Sequence, residues 1–221
     1  MSQISRPSDP IGRIYLIDRT NLALFLSAAL ILAITPGPGM LYVLGRTLHE
    51  GRREGVLSAL GTLVGGSFHV VAAAFGLSAI LATSAIAFAI VRYAGAAYLV
   101  YLGIAMLRSR RMEIEVADEA GTSHGHFLQG ITTEVLNPKT ALFFLSFIPQ
   151  FVTPSRGHLI TQFLVLGAIS VALNTVADLI VVVLAGAVAH KLKDNPTFTR
   201  RQRTVSGVGM IGLGAYVAVS K

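Results

Sequence analysis

Charged and strongly polar side chains stand inside long apolar stretches of this sequence. Lys139 lies within NPKTALFFLSF, five residues after Glu134, and Asp178 lies within ALNTVADLIVVV, four residues after Asn174. A charge at the centre of a bilayer costs about 2.5–3.5 kcal/mol on insertion scales, so such residues usually face a cavity or a path for ions and substrates. A buried acid suits the transfer of protons, and a buried cation suits the binding of a carboxylate.

Each of these residues also has a simpler interpretation. Lys139 can extend its side chain to the membrane interface, and Asp178 can be a structural partner of Lys139 or Arg92. His69, within GTLVGGSFHVV, is either a hydrogen-bonded core histidine or part of a proton path. Arg92 lies near the end of its apolar stretch, where extension to the interface is the favoured explanation. We treat Asp178, His69, Glu134 and Arg92 as a candidate charge network for proton coupling.

Two proline motifs interrupt the apolar stretches. The first consists of Thr35, Pro36, Gly37, Pro38 and Gly39, and the second of Asn137, Pro138 and Lys139. Proline removes a backbone donor and disfavours helix in the residue before it, while glycine removes steric restraint. One proline would produce a kink, so two prolines with two glycines predict an open break. Asn137 can cap a helix that begins at Pro138.

Backbone groups freed at a break in hydrocarbon must be met by protein or by a water-filled cavity. The N-terminus of a half-helix presents free N–H groups and the positive end of the helix dipole, which suits an anionic group such as a carboxylate. We therefore predict a substrate site formed by residues 35–39, Asn137, Pro138, Lys139 and Asn174.

The composition indicates a polytopic membrane protein. Of 221 residues, 53% are hydrophobic and only 13% are charged, whereas a soluble domain carries roughly a quarter charged residues. The mean hydropathy is +0.66, and the apolar runs recur along the whole chain. Each run has about the length that a bilayer core requires. The predicted spans are residues 21–46, 56–81, 85–107, 127–152, 159–189 and 204–220.

The net charge of +7 does not indicate nucleic-acid binding, because most basic residues flank apolar spans and act there as topology signals. Eleven Lys and Arg residues follow spans 1, 3 and 5, and five lie on the opposite side, so both termini are predicted outside the cell. The chain has no cysteine, which excludes disulfides and thiolate metal sites. No metal or other cofactor is expected.

The chain divides into two similar halves. Residues 1–20 form a leader, 21–108 a first three-helix unit, 109–126 a polar linker, and 127–221 a second three-helix unit. Pro36 and Pro138 both interrupt the first span of a half, and Gly103 and Gly214 lie 111 residues apart in the third spans. A three-span unit duplicated in tandem inserts with opposite orientations. The predicted fold is all-α, with six transmembrane helices as two inverted repeats and with helices 1 and 4 broken.

Several motifs together resemble the RhtB/LysE family of amino-acid exporters, of the homoserine, threonine and lysine efflux type. They are TPGPG, GTLVGGSFHV, VRYAGAAYLVYLG, LNPKTALFFLSFIPQF and VADLIV, and the resemblance extends over residues 20–220. It implies a six-span carrier of the bacterial inner membrane that expels amino acids or their derivatives, driven by the proton gradient. The implied signature residues are Pro36, Gly37, Pro38, His69, Gly95, Gly103, Asn137, Pro138, Lys139 and Asp178.

Two positions depart from the family pattern. Arg92 stands where relatives often carry lysine, which keeps the charge but changes the hydrogen-bond geometry. Glu134 adds an acid before the NPK motif, which leaves the preferred charge of the substrate open.

We predict a proton-coupled exporter that works by alternating access, with an amino acid, protons and the lipid bilayer as partners and a homo-oligomer as an option. A cation or metal exporter of the same superfamily is the alternative, followed by an intramembrane enzyme. An enzyme is disfavoured because the sequence has neither GxSxG nor HExxH. His124 and His126 in SHGHF are too weak a pattern for a metal site.

Overall fold

The computed structural model of the chain describes residues 19–108, 123–194 and 196–219, and every regular element in these ranges is helical. Residues 1–18 of the predicted leader and residues 109–122 of the predicted linker lie outside the described residues. The helices are α1 (Arg19–Ile34), α2 (Pro38–Glu50), α3 (Arg52–Ala72), α4 (Ser78–Thr83), α5 (Ala85–Arg108), α6 (Ser123–Val135), α7 (Pro138–Leu142), α8 (Leu159–Asp194) and α9 (Pro196–Val219). Across the described ranges, the all-α prediction is confirmed.

Among the residues that the structure describes, three helical stretches are long and apolar enough to cross a membrane, namely Arg52–Leu81, Ile86–Ala105 and Leu159–Ala185. A fourth results if Leu22–Ile34 and Pro38–Glu50 count as one bent span. Large apolar side chains such as Phe75 and Ile86 point outward and are more than half exposed, as lipid contact requires. The chain is therefore a helical membrane protein, while the six-span inverted repeat stays a prediction.

The first break lies where the TPGPG motif predicts it. α1 ends at Ile34, α2 begins at Pro38, and the two axes meet at 44°. Gly37 between them is extended, with φ −142° and ψ 178°. The fixed φ of Pro38 suits the first position of a helix, where the missing N–H has no partner to lose. The two motif prolines thus end one helix and begin the next.

The second break lies between Val135, the last residue of α6, and Pro138, the first residue of α7. The side chain of Asn137 accepts a hydrogen bond from the Lys139 backbone N–H at 3.0 Å, so Asn137 caps α7. Beyond α7 the chain continues through a π-helical turn, Phe143–Phe147, and a 3₁₀ turn, Ile148–Phe151. The fourth predicted span is therefore a series of short helical pieces.

Glycines allow two pairs of helices to pack with their backbones close together. A Cβ on Gly65 of α3 would lie 2.7 Å from the Ile131 carbonyl oxygen of α6, and a Cβ on Gly130 of α6 would lie 2.6 Å from the Ser58 carbonyl oxygen of α3. These distances leave no room for a side chain. The GxxxG pattern in α3 thus mediates helix packing, and a similar glycine contact joins α5 to α9.

A cluster of phenylalanines fixes α1 against the chain that follows α7. Phe25 lies with its ring centroid 6.4 Å from that of Phe143 and 5.3 Å from that of Phe151. Phe147 stacks between them, with its centroid 5.1 Å from Phe143 and 4.8 Å from Phe151. All four side chains are buried. This core lies beside both breaks and supports their relative position.

Candidate functional site

The two breaks are in direct contact through Lys139. Its ammonium donates hydrogen bonds to the carbonyl oxygens of Leu32, at 3.2 Å, and Thr35, at 2.8 Å. These carbonyls belong to the C-terminal end of α1, where the last turn lacks intrahelical donors and where a positive charge is favourable. The Lys139 stem runs past Gly37, where a Cβ would lie 3.0 Å from Lys139 Cε. Lys139 is buried, and its ammonium is directed at the first break.

Glu134 of α6 places its carboxylate beside the first turn of α2 and is held by two side chains of the second break. One carboxylate oxygen accepts a hydrogen bond from Asn137 Nδ2 at 3.0 Å, and the other accepts one from Thr140 Oγ1 at 2.6 Å. A Cβ on Gly39 would overlap the Glu134 carboxylate. The absence of a side chain at position 39 therefore lets the carboxylate approach the first turn of α2.

Asp178 of α8 approaches the same place from the opposite side. Its Oδ2 accepts a hydrogen bond from Thr62 Oγ1 of α3 at 3.0 Å, and the side chain is buried. Asp178 and Glu134 both interact electrostatically with Lys139. Two acids and one cation therefore share one buried region.

A cavity lies between these groups. The space in it that water can enter is about 20 Å³, and roughly 10–15 Å³ is needed to hold one water molecule. The cavity therefore has room for about one water molecule and is too small for an amino acid. Its lining comes from α1, α2, α3, the second break and one face of α8, and consists of Ala33, Met40, Thr62, Gly66, Glu134, Asn137, Lys139, Thr140, Phe144, Val171, Asn174, Thr175 and Asp178.

The structure brings five of the sequence-predicted residues to the cavity wall: Asn137, Lys139, Asn174, Asp178 and Glu134. The TPGPG motif lies beside the cavity, and its flanking residues Ala33 and Met40 form the wall there. Thr35, Pro36, Gly37 and Gly39 are buried, whereas Pro38 is exposed. Pro138 is exposed as well.

His69 and Arg92 are placed differently from the other predicted residues. His69 Nε2 lies 3.0 Å from the Glu134 carbonyl oxygen, and its ring stacks on Phe144 with the centroids 5.9 Å apart. It thus contacts the end of α6 directly behind the cavity wall. The Arg92 guanidinium lies over the ring of Tyr93, 5.5 Å from its centroid, and Arg92 is not part of the cavity lining.

Hydroxyl residues of the cavity were missed from the sequence. Thr62 donates to Asp178, Thr140 donates to Glu134, and Thr175 lines the wall one position after Asn174. Thr140 directly follows the NPK motif, and Thr62 lies inside the GxxxG pattern. A hydroxyl residue next to a motif within an apolar span is the sequence signal that could have identified Thr62 and Thr140 as cavity residues.

Comparison with known proteins identifies the family of this chain. A family model described as LysE type translocator matches residues 30–221. The chain belongs to this family. The resemblance noted in the sequence is therefore confirmed, and the match includes both breaks and every residue of the cavity lining. No solved structure gives a significant match.

Several relatives match this translocator over nearly their whole length. A leucine efflux protein of Enterobacter sp. (strain 638) is 32% identical over 196 residues, covering 87% of this chain and 90% of the relative. A homoserine/homoserine lactone efflux protein of Salmonella typhimurium is 27% identical over 198 residues, covering 89% and 95%. An uncharacterised membrane protein of Vibrio cholerae is 29% identical over 198 residues, covering 89% and 96%. The named relatives are efflux proteins for amino acids or a derivative.

Proposed function

We propose that this LysE family translocator is a proton-coupled exporter of amino acids or their derivatives in the bacterial inner membrane. The observation that carries the proposal is the small cavity at which the two helix breaks and the three charges of Lys139, Glu134 and Asp178 meet. Charges of both signs suit a zwitterionic substrate. The named relatives export leucine and homoserine or its lactone, so we propose substrates of this class.

The substrate carboxylate is received at the first turn of α2 and by Lys139. The N-cap residue of α2, Gly37, provides no side-chain hydrogen bond to the turn, so the backbone donors of that turn suit an anion. An ammonium carries three N–H donors, and two of those on Lys139 bond the end of α1. The third is available to a ligand in the cavity.

The substrate amine binds beside Asp178 and Asn174 in this proposal. With all three side chains ionised, Lys139, Glu134 and Asp178 together carry one net negative charge. A proton on Asp178 removes that charge. A zwitterionic substrate adds no net charge, but it places its ammonium against Asp178 and its carboxylate against Lys139; a buried carboxylate with neither partner is strongly unfavourable. Competition between the amine and a proton for one carboxylate couples their movements in opposite directions.

An apolar substrate side chain has matching surface. Ala33, Met40, Phe144 and Val171 contribute apolar wall to the cavity. Neutral amino acids with aliphatic side chains are therefore the first candidates. Because the cavity holds only water in this conformation, substrate entry requires the surrounding helices to move apart.

Alternating access between two inverted halves is supported by reciprocal contacts of α5 and α9. A Cβ on Gly103 would lie 2.6 Å from the Gly207 carbonyl oxygen, and a Cβ on Gly214 would lie 2.7 Å from the Ala96 carbonyl oxygen. Gly214 is 111 residues after Gly103, and Gly207 is 111 residues after Ala96. The second contact is thus the repeat image of the first, as a pseudo-two-fold axis requires. We propose rocking of residues 21–108 against 127–221 around the cavity.

The test is transport by purified protein in proteoliposomes. Leucine, homoserine, threonine and lysine are offered separately, with and without a pH gradient, and a divalent metal serves as the rival substrate. We expect accumulation of at least one amino acid only when the proton gradient is present. Flux of the metal alone would refute the proposal.

Asp178 is tested with two variants of similar size. Asp178→Asn removes the titratable group, and we expect amino-acid exchange without accumulation against a gradient. Asp178→Glu keeps a carboxyl group and serves as the matched control, for which we expect coupling to be retained in part. Undiminished coupling in Asp178→Asn would remove this residue from the mechanism.

A further inference from the structure

A second cluster of ionisable groups lies away from the cavity, where α2, the start of α3 and the start of α6 meet. His126 of α6 is fully buried between two glutamates. Its Nδ1 lies 3.1 Å from a Glu54 carboxylate oxygen, and its Nε2 lies 3.1 Å from a Glu50 carboxylate oxygen. We propose that His126, Glu50 and Glu54 form a proton-binding site, and that the bound proton closes the path from the cavity to this side of the membrane.

The geometry requires one proton more than a neutral imidazole and two carboxylates provide. A neutral imidazole has one N–H and one acceptor lone pair, whereas its cation donates from both nitrogens. The Nδ1 contact with Glu54 is aligned as a hydrogen bond, while Nε2 faces Glu50 at ion-pair distance without that alignment and has no other hydrogen-bond partner. A lone pair on Nε2 would face a carboxylate in the protein interior. An imidazolium, or a protonated glutamate, removes this repulsion.

The groups that face His126 within the described ranges come from two helices. Tyr42, Arg46 and Glu50 lie on α2, and Glu54 lies at the start of α3 beside the exposed Arg53, whose guanidinium is 3.3 Å from the Glu54 carboxylate. Arg46 binds Glu50 at 2.5 Å and donates to Gln129 of α6 at 2.8 Å. Arg46 and the two glutamates together carry one net negative charge, which the bound proton neutralises. Arg53 adds a positive charge near Glu54, but its side chain is 81% exposed, so water screens it strongly. Loss of the proton therefore leaves net negative charge around the buried imidazole, which disfavours this packing.

This cluster joins the two predicted halves of the chain. Glu50 and Glu54 belong to residues 21–108, and His126 lies at the end of the predicted linker and is part of α6, the first helix of the second half. Tyr42 adds a further link, since its hydroxyl donates to the His126 carbonyl oxygen at 2.8 Å. These residues hold α2, which is bounded by the extended Gly37 and by Gly51, whose φ is +97°. The left-handed φ at Gly51 favours glycine, so both ends of α2 have conformations suited to a hinge.

A small apolar seal lies between the cluster and the cavity. Val43 of α2, Ala59 of α3 and Val182 of α8 are buried against one another. On α2, Val43 lies between Met40 at the cavity and Arg46 at the cluster. On α8, Val182 lies one turn beyond Asp178. Movement of α2 away from α6 and α8 would therefore open this seal.

The Lys and Arg distribution predicts that this end of the molecule faces the cytoplasm. The inference rests on the proposed function, because a gate on the cytoplasmic side controls when an exporter takes up substrate. A low proton concentration on that side would release the proton, open the gate and admit an amino acid.

The test uses one cysteine in the seal and does not need transport. The native chain has no cysteine, so Val43→Cys supplies a single thiol, which is labelled in detergent with a hydrophilic maleimide at a series of pH values. Leu48→Cys, on the exposed face of the same helix, corrects for the pH dependence of the thiol reaction itself. After this correction we expect Val43→Cys to react slowly in acid and faster as the pH rises.

Two histidine substitutions test whether the pH dependence of labelling comes from the proposed proton site. In the Val43→Cys background, His126→Gln should raise labelling in acid about tenfold, because a hydrogen bond to a charged group is typically worth that factor or more. It should also remove most of the pH dependence. His124→Gln, the exposed neighbour two residues earlier, is the matched control and should leave the labelling curve unchanged.

Glu54→Gln keeps the inference testable if His126→Gln fails to fold. It removes one carboxylate from the bound proton, so the rise in labelling should move to lower pH. The inference would be overturned if the labelling rate of Val43→Cys had the same pH dependence as that of Leu48→Cys. It would also be overturned if the labelling curve of Val43→Cys were the same with and without Glu54→Gln. If the protein transports amino acids but the labelling of Val43→Cys does not depend on pH beyond that of Leu48→Cys, the gate inference fails and the proposed function stands. If the labelling depends on pH but no amino acid is transported, the proposed function alone is refuted.

Discussion

Replacing Lys139 with methionine tests the contact between the two helix breaks. Methionine keeps an unbranched side chain but loses the hydrogen bonds to the carbonyl oxygens of Leu32 and Thr35. A hydrogen bond from a charged donor is worth about 1.5–3 kcal/mol, so the two bonds together amount to about 3–6 kcal/mol. For a chain of this length each kcal/mol corresponds to roughly 2–4 °C. We expect the melting temperature to fall by at least roughly 6 °C.

The measurement is thermal unfolding of the purified protein in detergent, followed by circular dichroism of its helices. Arg92→Met is the control, because it also removes one basic side chain from an apolar span but lies outside the cavity lining. The Arg92 cation contacts the ring of Tyr93, a contact worth about 0.5–1 kcal/mol at exposed sites. We therefore expect a smaller fall for Arg92→Met than for Lys139→Met.

The double variant Lys139→Met, Glu134→Gln gives an internal check. Without Lys139, the buried Glu134 carboxylate loses its opposite charge, and its neutralisation should recover part of the lost stability. The assignment of Lys139 as the link between the breaks is wrong if the melting temperature of Lys139→Met lies within about 2 °C of that of the parent protein. It is also wrong if the effects of the two substitutions on stability are additive.

Three further predictions use the same unfolding measurement. Gly95→Ala places a Cβ on the Ser146 side chain and should cost about 1–3 kcal/mol; Ser146→Gly in the same chain should restore stability, and a failure to do so would refute this contact. A Cβ in Gly61→Ala would meet the backbone of α6, so this substitution should lower the stability by a similar amount. A Cβ at Gly212 would have nothing within 4 Å, so Gly212→Ala should leave the stability unchanged or raise it by up to about 1 kcal/mol. Equal effects of the two substitutions would contradict the packing assignment. Thr140→Val removes the 2.6 Å hydrogen bond to the Glu134 carboxylate and should cost about 1.5–3 kcal/mol, while an unchanged melting temperature would mean that this bond contributes nothing.

The helix breaks were predictable because their causes are local. Pro36, Pro38 and Pro138 each lack a backbone donor, and Asn137 needs only its own neighbours to cap a helix. The position of both interruptions and the cap therefore follow from a few consecutive residues. The assignment to the exporter family likewise depends on short motifs, and the family match confirms it.

The cavity could be predicted only in part, because its contacts join distant parts of the chain. Thr62 and Asp178 are 116 residues apart, and a threonine in an apolar helix usually bonds its own backbone. In the sequence, His126 stands out only as one of two histidines in SHGHF, a weak pattern for a metal site. Its burial between Glu50 and Glu54 depends on the close packing of α3 on α6, which no local pattern around His126 indicates.

The glycine contacts described above also restrict how this carrier can move. α3 packs on α6 and α5 packs on α9 with their backbones almost touching, and each pair takes one helix from either half of the chain. Separating such surfaces would expose main chain over several turns, so these two contacts are suited to act as a pivot. Rocking of one half against the other would turn about this pivot, and the shorter arm formed by α2, with its glycine-bounded ends, would add the displacement that admits a solute.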